Sequence, residues 1–259
     1  MHARSALFDL YGDHLLDRDG WAPIAACVGL LGSLGISAPA VRTAVSRMVR
    51  EGWLEPVERD VRGYAVSARG RERLREAHAR IYRTDEVAWD GRWHLVVVDR
   101  VPDRNARARG AQALAYLGYG QLAADTWIAP RPSRELGTAL GPTGMAWHGF
   151  TGTVDGDTRE VVSGVWDLSS LARAYRTFTE TMAPAEPAST PEDAFVARTE
   201  LVHEWRLFLF SDPGLPDEVL PHEWPGRAAA RAFDARAHAL LPAARAWVEF
   251  WLAGRGDRP

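Results

Sequence analysis

Three observations predict an α+β fold for this chain. A basic helix followed by a short hairpin lies near the N-terminus, a strand–helix–strand–strand–helix–strand pattern fills the middle, and long helices make up the remainder. The expected architecture is an N-terminal winged helix-turn-helix over residues 1–88, a central ferredoxin-like βαββαβ domain over 89–155, and a helical C-terminal domain over 156–259 for dimerisation or effector binding.

In the first region, Leu7, Phe8, Leu10, Tyr11 and Leu15 recur at helical spacing. Trp21 to Leu34 reads as a second apolar helix. Gly35-Ile36-Ser37 is a turn in which Ser37 can cap a third helix, with Pro39 tolerated in its first turn. That helix runs to about Glu51 and stops at Gly52. Trp53 to Glu58 and Tyr64 to Ser67 flank the turn Asp60-Val61-Arg62-Gly63 as two strands. Ser67 can cap a fourth helix, with Leu74, Ala77 and Ile81 on one face.

The central region opens on Trp93 to Asp99, an apolar run that reads as a buried strand, followed by a helix from Pro102 to Leu117. Gly120 to Leu122 and Thr126 to Ala129 are short strands, Ser133 to Leu140 a short helix, and Ala146 to Val154 a last strand. Beyond it, Trp166 to Met182, Pro191 to Phe210 and Arg227 to Leu252 read as helices. A polar, Pro-rich linker (183–190) and a Pro-rich loop (211–226) separate them.

Composition narrows the function classes. At 46% hydrophobic and 25% charged residues, the chain suits a soluble globular protein. No run approaches the roughly 18 apolar residues of a membrane helix, and the N-terminal stretch carries acids unlike a signal peptide, so a cytoplasmic location is expected. Cys27 is the single cysteine, which rules out an internal disulfide; beside Ala25, Ala26, Val28 and Leu30 it reads as a buried small side chain. The formal charge of −3 is unevenly spread, since residues 1–83 carry 13 Arg against 10 acids. A basic N-terminal portion on an acidic remainder suits a protein that presents one end to a polyanion.

The third helix carries the DNA-binding reading. Val41, Ala44, Val45, Met48 and Val49 fall on one apolar face, leaving Arg42, Thr43, Ser46, Arg47 and Arg50 on the others. Arginine can read guanine bidentately or bind phosphate, and Thr and Ser can donate to phosphates without filling the groove. Arg59 and Arg62 near the hairpin tip could reach the minor groove or backbone as a wing. The helix alone would also suit a solvated surface. The succession of helix, turn, basic helix and basic hairpin is what points to DNA.

The segment Gly35–Leu54 (GISAPAVRTAVSRMVREGWL) closely resembles the recognition region of the PaaX-like family of phenylacetate-degradation repressors. So do Phe8–His14 (FDLYGDH), Ser67–Arg71 (SARGR), Trp93–Val98, Gly118–Gly120, Trp166–Leu168 and the tail Asp212–Gly226 (DPGLPDEVLPHEWPG). The resemblance implies a winged-helix domain, a central ferredoxin-like domain and a helical C-terminal domain. It also implies a homodimer on inverted operator DNA, released by an aryl-acetyl-CoA thioester. No effector-binding residue follows from a family motif. The basic first turns of the central helix, with Arg104, Arg107 and Arg109, are the candidates for an anionic effector such as an acyl-CoA, beside the alternative of a solvated face.

A second class of function is a metal-dependent nuclease built on the central domain, which resembles ferredoxin-like CRISPR-associated nucleases with an Asp at the end of the first strand. Asp99 stands there. A metal site would need further carboxylates, and Asp103 is expected to cap the following helix instead. A third is an adaptor using a winged helix for protein contacts, against which the arginine pattern argues. Gly118-Tyr119-Gly120 follows a helix rather than a strand, so it is no dinucleotide loop. The scattered histidines have no ligand spacing. No catalytic residue, metal or cofactor is expected.

Overall fold

The computed structural model describes residues 1–82, 88–182 and 188–255. Most of the expected linker, residues 183–187, lies outside them. The chain divides into two compact units, Met1–Asp85 with Phe178–Arg206 and Ala230–Pro259, and Glu86–Thr177 with Leu207–Ala229.

The first unit opens with α1 (Ala3–Asp9), which continues into a π-helical stretch over Leu10–Leu15. The expected helix from Trp21 is corrected at its start. Trp21–Pro23 is a short strand, β1, because Pro23 has extended backbone (ψ 148°) and caps α2 (Ile24–Ser33). α3 (Ala38–Arg50) follows, then β2 (Leu54–Glu58), β3 (Arg62–Val66) and α4 (Ala68–Tyr82). The strands form an antiparallel sheet in the order β1-β3-β2. Gly63 is required there: a Cβ on it would lie 2.5 Å from the Trp21 ring. Cys27 is buried as expected, and burial pushes its thiol up to about 11, out of the reactive range.

The second unit holds β4 (Trp93–Val98), α5 (Arg104–Tyr116), β5 (Gly120–Ala123), β6 (Thr126–Ala129), α6 (Leu136–Leu140) and β7 (Trp147–Gly152). This is the predicted βαββαβ order. The sheet runs β5-β6-β4-β7 with every neighbouring pair antiparallel, the arrangement of a split βαβ unit. Val96 and Val98 pack on Leu114, Leu136 and Leu140 on one face. Trp93 and Ile128 face a second cluster with Val162, Leu215, Val219 and Leu220. His94 is a structural histidine, its Nδ1 2.6 Å from the buried Tyr119 hydroxyl.

The helix expected over Trp166 to Met182 starts later. Trp166 has extended backbone after α7 (Thr158–Val165), and α8 runs Leu168–Met182, capped by Asp167, which accepts from the Ser170 amide at 2.9 Å. Gly118 adopts φ +85° after α5, where a Cβ would meet the Pro213 carbonyl at 2.8 Å. Two separated motifs, Gly118–Gly120 and Asp212–Gly226, thus meet at a backbone contact that only glycine permits.

The last helices are α9 (Pro191–Arg206), shorter than expected because Leu207–Phe210 is a 3-10 turn, and α10 (Pro225–Leu252). Several aromatics of these helices pack inside the protomer. Trp205 and Phe233 stack at 4.7 Å in the first unit, both buried, and Phe208 stacks on Tyr175 at 4.2 Å in the second. Within the first unit, α9 is tied to the π-helical stretch by a buried ion pair. Arg198 donates to both oxygens of Asp13 at 2.7 and 2.8 Å, to the Tyr82 hydroxyl at 2.9 Å and to the Ala237 carbonyl. His203 and Arg206 reach the buried Asp9 in the same way. Both pairs join residues far apart in sequence.

Candidate nucleic-acid interface

α3 is built as its sequence dictates. Ser37 stands at the N-cap with extended backbone and Pro39 sits in the first turn, although the Ser37 side chain makes no capping hydrogen bond. At the other end Gly52 (φ +74°) donates to the Val49 carbonyl and Trp53 to the Met48 carbonyl, a Schellman closure that fixes where the chain leaves the helix. Val41, Ala44, Val45 and Met48 are buried and Val49 half-buried, so the whole apolar face is inside.

Arg42, Thr43, Ser46, Arg47 and Arg50 are all exposed on α3. They are not equivalent. Arg42 and Arg50 make no hydrogen bond or ion pair with the described residues. Thr43 donates its hydroxyl to the Pro39 carbonyl at 2.9 Å, leaving its lone pairs. Arg47 is held by Glu51 at 2.9 Å, one helical turn on. Glu51 in turn accepts from Arg4 of α1 at 2.6 Å. The bond from Arg47 and the charges of Arg4 and Arg50 hold the Glu51 carboxyl below its usual range.

The hairpin differs slightly from expectation. Arg62 and Gly63 belong to β3, with Glu58 opposite Arg62, and the tip is Arg59-Asp60-Val61. Arg62 is exposed with no partner among the described residues. Arg59 is drawn back instead, paired with Asp19 at 2.5 Å and lying 4.5 Å above the Trp21 ring. Among the described residues Arg42, Arg50 and Arg62 thus make no ion pair, whereas Arg47 and Arg59 are each held by a carboxylate, that of Glu51 being shared with Arg4. The Glu51 contact was legible as an i, i+4 pair; Arg4 and Asp19 left no sequence signal.

The three arginines considered for an effector lie on the exposed side of α5. Arg107 donates to the Val101 and Pro102 carbonyls at 2.7 and 2.8 Å, Arg109 stands 3.9 Å from Asp103, and Arg104 has no partner among the described residues. Asp103 caps α5 as expected, accepting from the Asn105 amide at 2.8 Å. A cleft of about 590 Å³ in the first unit is lined by Asp13, His78, Tyr82, Arg198, Asp234 and His238 among others, and none of the three arginines lines it. Asp99 is exposed, and among the described residues no group of three or more His, Cys, Asp or Glu is placed to hold a metal ion. No helix among the described residues is long and apolar enough to cross a membrane.

Comparison with known proteins matches this chain along most of its length. The PaaX-like protein model matches residues 2–70, the PaaX protein central Cas2-like domain residues 86–151, and the PaaX-like protein C-terminal domain residues 166–250. Transcriptional repressor PaaX of Escherichia coli (strain K12) is 31% identical over 260 residues, covering 94% of this chain and 82% of that protein. Among solved structures, the Mycobacterium tuberculosis protein Rv0674 superposes with a TM-score of 0.66 at 25% identity, covering 96% of this chain and 99% of that one. The resemblance read from Gly35–Leu54 and Asp212–Gly226 is borne out, and the chain belongs to the PaaX-like protein family.

Proposed function

We infer that this protein is a DNA-binding transcriptional repressor of a catabolic gene cluster, acting in the cytoplasm and not as an enzyme. α2, the turn at Gly35 and α3 form its helix-turn-helix, and the β2–β3 hairpin is the wing. The observation that carries this reading is the exposed face of α3, where Arg42 and Arg50, without a hydrogen bond or ion pair among the described residues, stand between Thr43, Ser46 and Arg47, opposite an apolar face that buries Val41, Ala44, Val45 and Met48. Kinship with a transcriptional repressor supports it. One such helix reads only a few base pairs, so a homodimer on a twofold operator is the expected assembly.

Arg42 is assigned the major groove, with Thr43, Ser46, Arg47 and Arg50 beside it; Arg62, with Arg59 behind it, is assigned the neighbouring minor groove or backbone. Arg42→Ala is expected to weaken operator binding by about 1–3 kcal/mol, selectively at one base position if it reads guanine. Titration of the variant against operator duplexes carrying single substitutions checks this. Wild-type affinity in Arg42→Ala, Arg50→Ala and Arg62→Ala alike would remove the assignment.

Release requires an effector that binds the free protein better than the DNA complex. A small anion, such as an acyl-CoA thioester, is the assigned class, with Arg104, Arg107 and Arg109 of α5 as candidate contacts. Calorimetry of an acyl-CoA panel is expected to find binding that weakens about 5–150-fold when operator is present. Equal binding in both states would exclude this mechanism while leaving DNA recognition intact.

A further inference from the structure

We propose that Glu51 sets the specificity of the DNA interface: held between Arg4 and Arg47, its carboxylate fixes Arg47 in place and withholds both guanidiniums from indiscriminate phosphate contact. This rests on the DNA-binding reading of α3 and deepens it.

A carboxylate here is costly on two counts. Glu51 is the C-cap of α3, at the negative end of the helix dipole, where acidic groups are destabilising. It also ends the helix assigned to a polyanion, where it repels phosphate. Against these costs stand its contacts, the local i, i+4 pair with Arg47 and the non-local one with Arg4. Oε2 accepts from Nη2 of Arg4 at 2.6 Å, and Oε1 accepts from Nε of Arg47 at 2.9 Å. Both oxygens are engaged, so α1 and α3 are linked through one group.

Arg4 is itself placed. Its guanidinium lies 5.5 Å from the centre of the Phe8 ring, and Phe8 meets Trp53 edge-on at 4.8 Å. Trp53 is the residue whose amide closes α3. The tether thus joins the start of α1 to the point where the chain leaves the recognition helix.

Arg47 is bound through Nε, and its side chain is 61% exposed. Among the described residues its two terminal nitrogens have no partner, and they form the edge an arginine uses for end-on bidentate contact with guanine. An arginine already ordered by its Nε loses less freedom on binding a base. With Glu51 removed, Arg47 and Arg4 become mobile cations that can bind any phosphate, which raises affinity for all sequences alike, while Arg47 loses the ordering that favours a base, a loss that falls on the operator alone.

The test uses the full-length protein, with fluorescence anisotropy on a duplex carrying its operator and a scrambled duplex of equal length, each across a range of salt. Glu51→Gln is expected to bind the scrambled duplex more tightly, with a salt slope steeper by about one. The ratio of operator to scrambled affinity is expected to fall about tenfold. In an Arg47→Ala background the same substitution should leave the ratio unchanged, since the pair acts as a unit. If Glu51→Gln fails to fold, Glu51→Asp, too short to hold both arginines, is expected to lose the ratio in its place. Retention of wild-type ratio and slope, or an equal loss in the Arg47→Ala background, overturns the role of Glu51. A wild-type protein that fails to discriminate the duplexes refutes DNA recognition itself, a separate outcome.

Discussion

Arg198→Ala is expected to cost about 3–5 kcal/mol of stability, because it leaves a buried carboxylate without its cation. The side chains of Arg198 and Asp13 are only 5% and 4% exposed. Without Arg198, Asp13 keeps the Tyr82 hydroxyl at 2.5 Å and the neighbouring His14 ring at 3.4 Å, and the Ala237 carbonyl loses its donor. Against the 5–15 kcal/mol typical of whole domains, this is a large fraction. The charge, rather than the packing, is at fault. Replacing both partners by apolar groups of similar size, as in Asp13→Leu with Arg198→Met, should recover most of the loss. Urea denaturation of the single and double variants separates the two. A loss below about 1 kcal/mol in Arg198→Ala would mean that the pair is not buried as described.

Acidification gives the second large effect, through the neighbouring residue. Burial holds the His14 imidazole neutral, lowering it from 6.5 to about 4, against the opposing pull of Asp13 and with the help of Arg198. Its ring nitrogens have no hydrogen-bond partner among the described residues. In the unfolded chain His14 takes up a proton as pH falls through 6.5; in the folded chain it resists until about 4. Between those values the unfolded state binds more protons, so stability is full above 6.5 and falls on acidification across this window. The expected loss at this group is about 3 kcal/mol. Asp13, held below its usual range by His14 and Arg198 despite burial, adds a loss in the same direction at lower pH. Denaturation midpoints of wild type and His14→Leu across the window check this. The wild type should lose stability and the variant much less, whereas equal slopes would place the acid sensitivity elsewhere.

These two effects share a location that the sequence did not disclose. Asp13 and Arg198 stand 185 residues apart, and a pair at that distance leaves no periodicity in either helix. The π-helical stretch carrying Asp13 was equally silent, since Leu10, Tyr11 and Leu15 suit any helix. What was legible was local. The apolar face of α3, its stop at Gly52 and the βαββαβ order all follow from spacings of a few residues, and the structure has them within three residues, the largest difference being the start of α6 at Leu136 rather than Ser133. β1 was missed because Trp21-Ala22-Pro23 is too short to show alternation, and its pairing with β3 is a tertiary contact. Among the site residues, exposure was readable from periodicity alone. Which arginines are free was not, since Arg59 and Asp19 are separated by 40 positions and meet only through the β1–β3 pairing.

Whether α3 reads DNA is tested most directly by footprinting the full-length protein on the DNA upstream of its own gene, with and without magnesium. A repressor with two copies of α3 is expected to protect a twofold-symmetric site with half-sites about one helical turn or a multiple apart, to leave the strands intact in either condition, and to lose protection in Arg42→Ala. Cleavage that depends on magnesium, or protection that survives in Arg42→Ala, Arg50→Ala and Arg62→Ala alike, would contradict it.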